Sequence, residues 1–248
     1  MKLKEITILK KEYGIILIVY ICMQLSSFVG VPLLATILKW FGKNPGLAVP
    51  YWLILSFSIA LLIVLYILRK EIYTARFERD GSSFGVSIIW AIMGVFLALF
   101  AQSLAANIEH RLGVPMGSEN TQQILKIINS YPLAILVSSV IGPILEEIVF
   151  RKILFGALYQ RFPFFISALI SSVIFALAHM DPEHVLLYSA IGFTFAFLYV
   201  KTKHIIVPIF AHVTMNTMVV LIQSVYRDDL GILIRDAQSV QNFIGGFL

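Results

Sequence analysis

Three observations predict an all-α, polytopic helical membrane protein with about seven to eight transmembrane helices. Hydrophobic residues make up 59% of the 248-residue sequence and charged residues only 13%, where an average soluble domain carries about a quarter charged. Mean hydropathy is +0.88. Seven uncharged runs follow one another: Tyr13 to Leu38, Gly46 to Leu68, Gly81 to Ile108, Ile127 to Leu145, Phe162 to Met180, Val185 to Val200 and Ile205 to Tyr226. Most reach the roughly 20 apolar residues that a helix needs to cross about 30 Å of hydrocarbon. In lipid every backbone polar group must be paired internally, so such runs take the helical form.

Lys2, Lys4, Lys10 and Lys11 precede the first run, which is too long for a signal core and is followed by no small-residue cleavage site, so a retained helix is expected. With seven spans, 13 Lys and Arg fall on the side of the N-terminus and 6 on the other. The positive-inside rule then predicts a cytoplasmic N-terminus and a C-terminus outside. Trp40, Tyr51, Trp52, Tyr131, Tyr159 and Tyr226 fall near span ends, where amphipathic rings prefer to sit. Between the third and fourth spans, Glu119 to Asn129 sets Ile124, Leu125, Ile127 and Ile128 among polar residues, the pattern of a helix lying on the surface of the bilayer. The tail from Asp228 to Leu248 has a similar mixed pattern. No internal repeat or low-complexity linker is present, so residues 1–248 read as a single integral membrane domain.

Net charge is +5, but the basic residues are scattered over loops and form no face for phosphates, which excludes nucleic acid as a partner. The single cysteine, Cys22, lies inside the first run, so there is no disulfide framework and no CxxC motif. The lipid bilayer is the expected environment.

Informative residues in such a chain are the polar ones inside spans, because a charge at a helix centre costs about 2.5 to 3.5 kcal/mol on insertion scales. Glu146 and Glu147 lie in Gly142-Pro-Ile-Leu-Glu-Glu-Ile-Val-Phe-Arg151, His179 ends the fifth run, and His212 with Asn216 lies inside the seventh. Glu147 and Arg151 are four apart with the acid first, the favourable order for an ion pair. Glu146 points about 100° away around the helix and is the carboxylate free for other work. His212 and Asn216, also four apart, share a face.

This set suits amide hydrolysis. Glu146 would take a proton from water that His179 helps to hold, and His212 with Asn216 would donate to the oxyanion. Equally open on the residues alone is zinc held by Glu146, His179 and His212, two His and a carboxylate being a catalytic zinc set. For Glu147 with Arg151, a structural ion pair is as good a reading as a catalytic role. His110, His184 and His204 read as loop or interfacial residues, and Asp181-Pro182 as an N-cap followed by proline at the first helical position.

The three motifs, Glu146-Glu147-Ile-Val-Phe-Arg151, Phe175-x-x-x-His179 and His212-x-x-x-Asn216, together resemble those of the CPBP family, the CAAX prenyl endopeptidases and bacteriocin-processing or immunity proteins also called Abi. The resemblance covers residues 120–222, a protease core in the last four spans, and Val140 to Leu158 looks most like the YdiL-type and MroQ-type members of Gram-positive bacteria. It implies an intramembrane endopeptidase acting on a hydrophobic or membrane-associated peptide, or on a membrane-protein substrate. The positions matching Glu146 and His179 would activate water, those matching His212 and Asn216 would form the oxyanion site, and Glu147, Arg151 and Phe175 would support them. A metal-free glutamate mechanism, with no cofactor, is favoured over zinc because Asn216 then has an oxyanion role and Glu146 remains a base. Lys152 departs from the glycine that many members carry after the motif arginine. The rival readings are a non-catalytic scaffold or immunity protein of the same family, and a transporter using the buried groups as a relay. The absence of an inverted repeat disfavours the transporter.

Overall fold

The structure is a computed structural model that describes residues 10–75 and 81–225. Among them it is a bundle of α1 (Lys11–Trp40), α2 (Ala48–Ala75), α3 (Phe84–Arg111), the short α4 (Glu119–Ser130), α5 (Pro132–Tyr159), α6 (Phe164–Ala178), α7 (Val185–Thr202) and α8 (Ile206–Val225). Five of these, α1, α2, α3, α5 and α7 with its leading turn, are long and apolar enough to cross a membrane, while α6 and α8 are shorter apolar helices. All seven run alternately between two ends of the bundle, which matches the polytopic helical fold expected. The interfacial tail expected from Asp228 to Leu248 lies outside the described residues.

Burial divides the helices into two groups. In α5 and α7, 56% and 50% of the apolar window is buried, against 22%, 17% and 22% in α1, α2 and α3, so α5 and α7 are interior elements and the first three present much of their surface outward. The principal pairings are α3 with α7, α6 with α7, α1 with α2, and α3 with α8. Lipid tails are as apolar as leucine, so helices in a membrane associate through close packing at small residues. Gly192 of α7 abuts Ser172 of α6, where an added Cβ would lie 3.0 Å from the serine Cβ. Gly30 of α1 receives the indole of Trp52, into which an added Cβ would run. Gly30→Ala is therefore expected to expel that ring and lower the melting temperature of the detergent-solubilised protein. A melting curve superimposable on wild type would refute this account of the α1–α2 contact.

Polar contacts tie the helices at both ends. Where α1 begins, the Tyr13 hydroxyl donates to Glu71 Oε1 at 2.8 Å, and Lys152 Nζ lies 3.2 Å from the same oxygen. Lys152, the departure from the family pattern, thus joins α5 to α2. Nearby, His204 Nε2 donates to the Ser82 carbonyl at 3.0 Å. At the opposite end His184, expected to be interfacial, is buried, and its Nδ1 meets Glu109 Oε2 at 2.8 Å. Leu187 N–H donates to Glu109 Oε1 at 2.9 Å, so the start of α7 is capped by a carboxylate from α3 and not by its own sequence. Asp181 does stand at the N-cap with Pro182 after it, but its side chain makes no cap bond and accepts from Ser118 Oγ at 2.6 Å. Local sequence suggests a cap there; the packing of α4 supplies the carboxylate with a different donor. His110, read as a loop residue, belongs to the last turn of α3. Glu119 to Ser130 is helical as expected, with Ile124, Leu125, Ile127 and Ile128 packed on Ala134, Ile135 and Val220.

Candidate active site

The site is built on irregularities in α5. Gly142-Pro143 interrupts the helical ladder, because proline has no N–H to give and its ring crowds the carbonyl four residues back. Residues Val137–Ile141 accordingly form a π-helical turn, in which Gly142 N–H bonds to the Val137 carbonyl. The next carbonyl, Ser138, would take its partner from position 143, which is Pro143. Asn216 Nδ2 of α8 fills the gap, donating to the Ser138 carbonyl at 3.3 Å. A second π-helical stretch runs over Glu147–Phe155, so the Glu146-Glu147 pair stands where α-helical winding gives way to a wider turn. Such insertions are frequent at functional sites because they re-aim side chains.

Glu147 and Arg151 are fully buried, with Arg151 Nε 3.2 Å from Glu147 Oε2. Among the described residues the guanidinium makes no aligned hydrogen bond, so the pair is held by charge and by ring packing. The guanidinium carbon sits 4.3 Å from the Phe175 ring centroid and 5.4 Å from that of Phe195, a cation–π sandwich that suits a planar ion removed from water. The other Glu147 oxygen, Oε1, is 2.9 Å from His212 Nδ1. A carboxylate only accepts, so Nδ1 carries the proton and Nε2 faces onward. It faces Glu146, whose Oε2 is 3.8 Å away on a side chain 18% exposed. Phe195 stacks on the His212 ring at 4.7 Å and Phe175 meets it edge-on at 6.0 Å. A chain of contacts therefore runs Arg151, Glu147, His212, Glu146.

His179 follows the last residue of α6, a helix of 15 residues. At about 1.5 Å per residue that is shorter than the hydrocarbon core, which lets a residue at its end remain inside the bundle. His179 Nδ1 lies 2.8 Å from the Phe175 carbonyl; a carbonyl only accepts, so Nδ1 holds the proton and Nε2 presents its lone pair. The ring packs edge-on to Phe175 at 4.5 Å and stacks on Tyr188 at 4.1 Å. Phe175 also lies against His212 and Arg151, so its ring sets His179 beside that chain. Beside them, a Cβ on Gly142 would stand 3.0 Å from the Val137 carbonyl oxygen, so the close approach of the π turn favours glycine there.

The structure thus gathers Glu146, Glu147, Arg151, His179, His212 and Phe175 around one interior point, with Asn216 one turn from His212 and joined to the π turn. Among the described residues no group of three or more His, Cys, Asp or Glu is placed to hold a metal ion. His179 and His212 both use Nδ1 in a hydrogen bond and leave Nε2 free, an arrangement that serves a metal ligand as well as a metal-free donor or acceptor. Phe195, Tyr188 and the Ser138 carbonyl were missed by sequence reasoning. Only Ser138 carried a local signal, the proline five residues on; the two rings come from α7, whose facing side no motif marks.

Comparison with known proteins bears on this geometry. The chain is 50% identical over 224 residues to "Putative membrane peptidase YdiL" of Bacillus subtilis (strain 168), covering 87% of this chain and 90% of that protein. Residues 128–218 match the family described as Type II CAAX prenyl endopeptidase Rce1-like. The chain belongs to the Rce1-like CAAX endopeptidase family. "Membrane-embedded CAAX protease MroQ" of Staphylococcus aureus (strain USA300) is 32% identical over 235 residues, 92% of this Rce1-like chain and 93% of that relative. No solved structure matches significantly. All three motifs, from Glu146 to Asn216, fall within the segment matched to the Rce1-like family. An Rce1-like chain with these relatives is an integral membrane peptidase.

Proposed function

We propose that this peptidase hydrolyses a peptide bond in a hydrophobic or membrane-associated peptide, within the bilayer, by a metal-free glutamate mechanism. The observation that carries the reading is the buried chain Arg151, Glu147, His212, which ends 3.8 Å from Glu146. In it only Glu146 is a carboxylate without a full partner. Glu146 takes one proton from a water whose other O–H is accepted by His179 Nε2. The water oxygen bonds to the substrate carbonyl carbon, and the carbonyl oxygen becomes the oxyanion. The second N–H of Asn216, beyond the one given to Ser138, donates to that oxygen, as does His212 Nε2 when the ring is an imidazolium. Collapse of the intermediate breaks the C–N bond, and Glu146 passes its proton to the departing amine.

The distribution of Lys and Arg supports a cytoplasmic N-terminus, and the relatives from Bacillus subtilis and Staphylococcus aureus support a bacterial cytoplasmic membrane. The experiment is cleavage of a fluorogenic library of hydrophobic peptides by the purified protein in detergent, wild type beside His179→Ala, each with and without a zinc chelator. Cleavage by wild type that survives the chelator and is lost in His179→Ala is expected. Chelator-sensitive cleavage would replace the mechanism with one in which zinc is bound. Full activity in His179→Ala would remove that residue from the site.

A further inference from the structure

A hydrogen bond from His179 Nδ1 to the Phe175 carbonyl fixes the tautomer of the imidazole, but one bond leaves the ring free to tilt about it. The plane is set by stacking, with the Tyr188 ring 4.1 Å away and 28° from parallel. Tyr188 is itself buried, and its hydroxyl lies 2.8 Å from Ser118 Oγ, which lies 2.6 Å from Asp181 Oδ2. Proton counting gives this chain a direction. A carboxylate only accepts, so the single proton of Ser118 goes to Asp181, and the Tyr188 hydroxyl must donate to Ser118. Ser118 also accepts from Thr121 N–H at 3.2 Å as the N-cap of α4, and Asn120 Nδ2 approaches the Tyr188 oxygen at 3.4 Å. The start of α4, the turn after His179 and the first turns of α7 are thereby locked together around one ring. Met180, between His179 and Asp181, adopts a left-handed backbone with φ 54°, a conformation that a side-chain-bearing residue keeps only when its surroundings hold it.

We propose that Tyr188 is a positioning residue for His179, and that Ser118 and Asp181 hold Tyr188 in place for that purpose. The inference rests on the reading of His179 as a group that binds the attacking water. Nothing in the three motifs marks Ser118, Asp181 or Tyr188; the connection exists only in the packed bundle. A misplaced water-binding group loses rate more than it loses substrate binding, because only the reacting geometry changes.

The test is peptide cleavage in detergent with the same hydrophobic fluorogenic library, for Tyr188→Phe, Tyr188→Leu, Ser118→Ala, the double Ser118→Ala/Tyr188→Phe, and His179→Ala. Melting temperatures and the ¹⁵N spectrum of the histidine ring nitrogens are recorded for each. Tyr188→Phe keeps the ring and is expected to lower kcat by about 3- to 10-fold with KM unchanged, and Tyr188→Leu by about 100-fold. Ser118→Ala should match Tyr188→Phe, and the double variant should be no worse than either, since both break one link. In the ¹⁵N spectrum the His179 signals are expected to be sharp in wild type and exchange-broadened in Tyr188→Leu, whether or not the library contains a good substrate. Wild-type kcat in Tyr188→Leu, or rate losses that follow melting temperature, would overturn the proposal, as would unchanged His179 signals. If His179→Ala keeps full activity the reading of His179 fails instead, and the two failures are told apart.

Discussion

Glu146→Gln is expected to lower the rate of hydrophobic peptide cleavage by about 10²- to 10⁴-fold, the range that a positioned general base supplies, while the protein keeps its helical content and melting temperature. The reasons are geometric. Glu146 lies beside the buried ion pair without belonging to it; its Oε2 is 3.8 Å from His212 Nε2 and its side chain is 18% exposed. Glutamine has nearly the same shape and can keep a contact to His212, so packing loses little. What glutamine cannot do is accept the proton of water and return it to the leaving nitrogen. Initial rates in detergent, set beside a melting curve for each variant, give the measurement. A Glu146→Gln protein that cleaves at the wild-type rate would end the glutamate mechanism.

Arg151→Met is expected to be the most damaging substitution to stability, by about 3 to 5 kcal/mol, the usual cost of stripping one partner from a buried ion pair. Arg151 and Glu147 have no exposed side-chain surface. Without the guanidinium, Glu147 would face His212 alone in a low-dielectric interior, and the space between Phe175 and Phe195 would lose the cation that both rings contact. Met fills much of the volume but carries no charge. The double variant Glu147→Gln/Arg151→Met removes the stranded carboxylate and is expected to recover a substantial part of the loss, because an apolar or neutral replacement of a whole buried pair is often close to neutral. Tryptophan fluorescence during denaturant titration in detergent reads both. Recovery in the double variant separates a charge effect from a cavity effect. A single Arg151→Met variant as stable as wild type would show that the pair contributes nothing to the fold.

Much of the architecture was legible because the governing rule is local. Lipid forbids unpaired backbone polar groups, so an uncharged run of sufficient length declares a helix without reference to its neighbours. The candidate site was legible for the same kind of reason: a carboxylate or imidazole inside a span has few uses, and pairs four residues apart share a helix face. Glu147 with Arg151 meets that expectation directly.

Relations between helices were not legible. Sequence spacing assigned Glu147 to Arg151 but could not show that its second oxygen would reach His212, 65 positions away. Nor could it show that His184 would be buried on Glu109, or that Asp181 would turn to Ser118 instead of capping its own helix. The two π-helical turns in α5 rotate every side chain beyond them relative to a regular helix, so faces computed at about 100° per residue drift. By itself the sequence determined a helical membrane protein and which polar residues break the lipid rule, since both follow from the solvent and from contacts within one turn. The partner that each polar group takes was decided only in the packed bundle. There the helix rotations, the length of α6 and the turn made by Gly142-Pro143 set which groups can meet.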